Sequence, residues 1–244
     1  MQHLHFKNAP ITEAVIEIRV ETPAGVSLPD LATNLDLNDY PARKNRIELE
    51  GMFEFGEETS SAKTAQKHTG YIYTHSSGKQ ILQVSDNTFS LSRLAPYGSW
   101  NEFSTEARRL WDAYNKAVSP TKISRIALRY INRIDIPLPV TDLKDYLRTY
   151  PEMSAAMSQG LSGYFMRLEN VQPDIRAALV LHQAMVPPPN PEVASILLDI
   201  DLFRDEQLAN DVEAIWQGLE ELRRKKNEIF LGCLTENTLR LFDK

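Results

Sequence analysis

A single cysteine, Cys233, occurs in the 244 residues. No intramolecular disulfide and no thiolate cluster for zinc or iron–sulfur can therefore form, and a reducing compartment, the cytoplasm by default, is expected. Glycine is scarce too, with ten in the chain, and neither the dinucleotide fingerprint nor the phosphate-loop motif is present. Rossmann, P-loop and kinase chemistries are excluded on that ground. No Gly-x-Ser-x-Gly elbow exists, and Cys233 lies in Leu231-Gly232-Cys233-Leu234, whose apolar neighbours favour a buried, inert thiol. No run approaches the roughly 18 apolar residues of a membrane span. The first twenty residues are broken by His3, His5, Lys7, Glu13, Glu17 and Arg19, so neither a span nor a signal peptide is read. Positive charge is also short: 27 Lys+Arg against 33 Asp+Glu give a net charge of −6. The overall field then repels phosphate backbones, leaving only a local basic face for a nucleic-acid partner.

What is present is an ordinary globular composition, 42% hydrophobic and 25% charged, long enough to bury a large core without staples. Ala14, Ile16, Ile18 and Val20 alternate with Glu13, Glu17 and Arg19, which is a half-buried strand. A short helix fits 30–35, and strands fit 46–55, 70–75, 79–84 and 88–94, joined by tight turns. Between them, 56–69, rich in Glu, Ser, Thr and Lys, reads as a mobile loop. From Trp100 to Val118 the period changes to that of an amphipathic helix, with Trp100, Phe103, Ala107, Leu110, Trp111, Tyr114 and Val118 on one face, closed by Pro120.

The second half follows the same order. A strand over 124–136 carries Arg125, Arg129, Arg133 and Asp135 on one face, and Thr141 is expected to cap a short helix over 142–148. Strands follow at 163–169, 175–185 and 193–202, then a long helix from about 205 to 227 with the stripe Leu208, Val212, Ile215, Trp216, Leu219 and Leu222. The repeated order suggests an internal duplication, with halves 1–120 and 121–244 in one compact unit. The expected fold is α+β: one curved antiparallel sheet of about ten strands, with a pseudo-twofold axis between the two initiating strands. Two long helices would cover one face, an element order resembling the TATA-binding-protein and helix-grip folds.

The candidate chemistry follows from the strand faces. With the initiating strands side by side, Glu13, Glu17 and Arg19 would lie beside Arg125, Arg129 and Arg133 on the uncovered face, as mutually paired charges or as an anion or partner patch. Asn132 is near but on the opposite strand face. Tyr71, Tyr73 and His75 share a strand face; were it the uncovered one, they would join Arg129 and Arg133 in a polar concavity. Arg93 completes the candidate binding set. Asp199 and Asp201, on one side of a strand, form a weak pattern for a metal-dependent phosphoesterase, with no third ligand evident. His3 and His5 lack an acidic or thiol partner for a metal, and no cofactor is called for. Arg223-Arg224-Lys225-Lys226 reads as the basic end of a helix, paired with Glu220 and Glu221, rather than as a nucleic-acid site.

Four segments together resemble a sporadically distributed family of bacterial and archaeal proteins of about this length. They are Asn8-Ala9-Pro10-Ile11-Thr12-Glu13-Ala14 with Glu17-Ile18-Arg19; Leu91-Ser92-Arg93-Leu94-Ala95-Pro96-Tyr97 with Trp100 and Phe103; Arg129-Tyr130-Ile131-Asn132-Arg133-Ile134 with Ile136-Pro137; and Leu222-Arg223 with Asn227-Glu228-Ile229-Phe230 and Thr235. The resemblance brings no activity and no catalytic residue. Its patchy distribution implies a protein-binding role of the kind found in defence or toxin–antitoxin systems. The leading expectation is thus a non-enzymatic, cytoplasmic protein that binds a protein partner. The alternatives are a ligand- or nucleic-acid-binding sheet face and the phosphoesterase. A homodimer through a sheet edge or the second long helix stays open.

Overall fold

The computed structural model describes residues 6–23, 25–35, 37–55, 60–154, 156, 161–205, 208–209 and 211–243. In chain order the elements begin with β1 (Ile11–Glu21), α1 (Leu28–Asn34), β2 (Ala42–Phe55), β3 (Ser60–Thr74), β4 (Gln80–Val84), β5 (Thr88–Leu94) and α2 (Trp100–Val118). They continue with β6 (Lys122–Pro137), β7 (Phe165–Gln172), β8 (Ala177–Val186), β9 (Val193–Arg204), β10 (Leu208–Ala209), α3 (Val212–Cys233) and α4 (Glu236–Leu239). All strands belong to one antiparallel sheet in the order β2-β3-β4-β5-β1-β6-β9-β8-β7, with β10 added to β6 off this path. The class is α+β.

The middle of the sheet is the antiparallel pair β1–β6, in which Ile16 stands opposite Leu128 and Ile18 opposite Ile126. Period-two alternation puts Ala14, Ile16 and Ile18 on the same face as Phe89 and Leu91 of β5 and as Ile126, Leu128 and Tyr130 of β6, all buried. Both long helices lie on that face. Phe89 meets Trp111 of α2 edge to face at 5.5 Å, and Gly218 of α3 approaches β6 so closely that a Cβ there would stand 2.5 Å from Ile126 Cδ1. The opposite face carries no helix among the described residues.

Local chemistry explains the helix limits. Ser99 caps α2 by accepting from the Glu102 amide at 3.2 Å, and the helix ends at Ser119, in the left-handed region, ahead of Pro120. The long final helix begins later than its apolar stripe suggests. Asp211 is the cap, accepting from the Glu213 and Ala214 amides, while Leu208 belongs to β10. It also runs to Cys233, so Arg223 to Lys226 lie in mid-helix and not at a C-terminal end.

Two further expectations are corrected. The segment 60–69 is not loop but part of β3, paired with β2 along its length and interrupted by one register shift at Arg46/Ile47; 56–59 lie outside the described residues. The helix expected over 142–148 is only a single 3-10 turn, Leu143–Asp145, capped by Asp142 and not by Thr141.

Candidate functional site

The bare face of the sheet is built from the odd-numbered positions of β1, β6, β9 and β7 and the even-numbered ones of β8, as the registers require. It gathers Glu13, Val15, Glu17 and Arg19 from β1, Arg125, Arg129, Ile131 and Arg133 from β6, and Leu197, Asp199, Asp201 and Phe203 from β9. His182 and Phe165 complete it from β8 and β7.

At its centre Asp199 is only 3% exposed, yet it faces solvent-side cations. Arg129 grips it with two hydrogen bonds, Nε to Oδ1 at 2.8 Å and Nη2 to Oδ2 at 2.6 Å, the forked geometry that only a guanidinium supplies. His182 adds its Nδ1 at 3.3 Å from Oδ2, and the Phe165 ring lies 5.6 Å from the imidazole. The Arg129 pKa is raised, first by its hydrogen bond to Asp199, so the guanidinium stays charged. Burial raises the Asp201 carboxyl above its ordinary value, against the lowering pull of Arg125 and Arg129.

A second group lies along the β1–β6 seam. Arg19 and Arg125 stand directly opposite one another, a repulsive pairing that Glu17 relieves from between them, 2.8 Å from Arg19 and 3.3 Å from Arg125. Arg125 also donates to Asp205 at 2.8 Å and lies 3.6 Å over the Phe203 ring. Arg133 is bound to Asp135, Ser195 and the Pro187 carbonyl, each at 3.0 Å.

Of the residues nominated from sequence, Glu17, Arg19, Arg129 and Arg133 share this face. The rest do not. Tyr71 and Tyr73 stand opposite Val84 and Leu82, on the helix-covered side and buried, so they form no concavity with Arg129 and Arg133. His75 lies past the end of β3, held by Ser77 at 2.7 Å and edge-on to Tyr40 at 5.1 Å. Arg93 pairs with Ala14 on the covered face. Asn132, buried there as well, donates to the Leu198 carbonyl at 3.0 Å and is structural. His3 and His5 lie outside the described residues.

Asp199 and Asp201 do share one side of β9, but both oxygens of Asp199 are already engaged by Arg129 and His182. Among the described residues no three His, Cys, Asp or Glu side chains converge as metal ligands. No sequence signal singles out His182: alternation with Val180 and Ala184 marks its face, but its partner Asp199 follows only from the β8–β9 register.

The covered face holds one further unusual group. Lys226 of α3 is buried with its Nζ 3.7 Å from the centre of the Tyr130 ring, and Tyr130 and Tyr97 share a hydrogen bond of 2.6 Å between their hydroxyls. Burial first, then nearby Arg223, lowers the ammonium pKa to about 7. Burial likewise raises Tyr97 to about 12. Cys233 is buried, with its thiol pKa raised by desolvation.

Among the described residues, fold and site define an α+β protein with one sheet, helices on one side, and a bare face of paired charges. No helix among the described residues is long and apolar enough to cross a membrane. No protein-family model matches the chain, and no curated protein is significantly similar to it.

Proposed function

We propose that the protein is a non-enzymatic, cytoplasmic binding protein that receives a protein partner on the bare sheet face. The observation that carries this reading is the composition of that face: half-buried Val15, Ile131, Leu197 and Phe203 lie between arginines held in place by the chain's own carboxylates. Arginine and aromatic area are enriched at protein interfaces, and here Phe203 and the preordered arginines lie among half-buried aliphatic side chains. Because Glu17, Asp199, Asp135 and Asp205 already neutralise those arginines, the face offers little net positive field to a nucleic acid. The occupant is therefore a protein of mixed surface charge. The family resemblance adds a bacterial defence or toxin–antitoxin setting.

The fold reading goes with it. The two initiating strands lie antiparallel side by side, with β5, β4, β3 and β2 outward on one flank and β9, β8 and β7 on the other. A duplicated unit related by a twofold axis, in the manner of the TATA-binding-protein fold, would produce this arrangement.

Affinity purification from the native host, repeated with Val15→Lys, Leu197→Lys and, as a control on exposed α2, Lys116→Glu, tests the proposal. Each variant is first checked by circular dichroism. A protein retained by the control and reduced at least tenfold by both bare-face variants is expected. Equal retention by all three, or a nuclease-sensitive partner, would overturn the reading.

A further inference from the structure

The sheet ends at β7, and six of that strand's eight side chains are exposed, including Phe165 at 69%, Leu168 at 40% and Val171 at 71%. An uncovered edge strand with apolar side chains is a template for another strand. Its backbone phase is defined. The Met185 amide donates to the Tyr164 carbonyl at 3.1 Å, and the register continues as Phe165 opposite Ala184 and Arg167 opposite His182. In an antiparallel ladder only alternate residues bond to a given neighbour. Met166, Leu168 and Asn170 thus turn their amides and carbonyls to β8, whereas Phe165, Arg167, Glu169 and Val171 turn theirs outward. Among the described residues no backbone hydrogen bond satisfies those outward groups.

We infer that β7 pairs with β7 of a second copy of this chain, antiparallel, with the twofold axis at Leu168. Two constraints, together with the longest overlap of the two eight-residue strands, select this register. Outward-bonding residues must face outward-bonding residues, so the axis falls on a residue and not between two. Axes at Arg167 or Glu169 would set like charges directly opposite, which is destabilising. With the axis at Leu168, Arg167 faces the partner copy's Glu169 and Glu169 its Arg167, both on the bare face. Phe165 meets Val171 at each end, and the two Leu168 side chains meet on the helix-covered face. Arg167 and Glu169 already pair within the strand at 2.6 Å, so dimerisation turns two isolated ion pairs into a four-charge cluster. The sheet then runs unbroken through both copies, and their bare faces become continuous. A single pair of eight-residue strands is a small interface, so the dimer is expected to dissociate at about micromolar concentration.

Sedimentation equilibrium across a wide concentration range is the test. The wild type is expected to move from one to two copies of the 27.8 kDa chain. Arg167→Glu alone and Glu169→Arg alone should each weaken association at least tenfold, while the double exchange, which restores opposite charges in this register only, should recover it. Leu168 pairs with itself at a non-hydrogen-bonded site, where Cα atoms are about 4.5 Å apart, within disulfide range. Leu168→Cys should therefore cross-link on oxidation, with the wild type, carrying buried Cys233 alone, as control. A wild type that stays monomeric, a charge exchange that fails to recover association, or a Leu168→Cys chain that does not cross-link would overturn the inference. None of these outcomes bears on whether the bare face takes a partner protein.

Discussion

Lys226 illustrates how one side chain can work against the fold that contains it. Its pKa falls from an ordinary 10.5 to about 7 on folding, so between those values the unfolded chain binds more protons than the native one. Stability must rise with pH through that window and be flat below it, where both states are protonated. Lys226→Met, which keeps the packing on Tyr130 without the charge, should raise the melting temperature most at about pH 7 and below, and abolish the rise toward pH 10. Thermal melts of both proteins over that range check it. Arg129 is the opposite case, because its removal leaves a nearly buried carboxylate facing only His182. Arg129→Ala is expected to cost about 1–3 kcal/mol, and a double-mutant cycle with Asp199→Ala should return coupling of about 0.5–3 kcal/mol. Denaturant titration reads both.

At the scale of elements, legibility in the sequence followed where the chain meets the core. β5 and α2 were predicted residue for residue, because their periodicity is unbroken and Pro120 closes the helix. β3 was half missed. Its stretch before Gly70 is polar on both faces, so a strand held chiefly by pairing with β2 left no hydrophobic alternation to read. The start of α3 was misjudged because Leu208 falls in helical phase with Val212, whereas Asp211 is the residue whose side chain caps the helix. Strand faces could be read within each strand, which is why Arg129, Arg133, Glu17 and Arg19 were grouped correctly. Which face the helices cover could not, and that left the side taken by Tyr71 and Tyr73 open until the registers were known. Gly70 marks a further constraint, since a Cβ there would lie 2.2 Å from the Val84 carbonyl oxygen. Gly70→Ala should force β3 away from β4 and destabilise by about 1–3 kcal/mol, with the loss of amide protection concentrated in 71–84 under hydrogen exchange.

For the molecule as a whole, the central seam matters more than either edge. β1 finds its two neighbours in different halves of the chain: β5 arrives with the first half, but β6 begins at Lys122. During synthesis β1 is therefore complete long before the strand that closes its other side exists, and contacts of such separation form late because a long loop must first be closed. Until then the nascent first half exposes an open central strand, the state most prone to pair with the wrong chain and the one a chaperone would meet. Residues 1–120 produced alone are expected to aggregate, and co-production of 121–244 as a separate chain should return them to solution, as measured by the soluble fraction in each case. Ile16 and Leu128, neighbours in the finished sheet, thus decide when the protein becomes safe from its own unfinished copies.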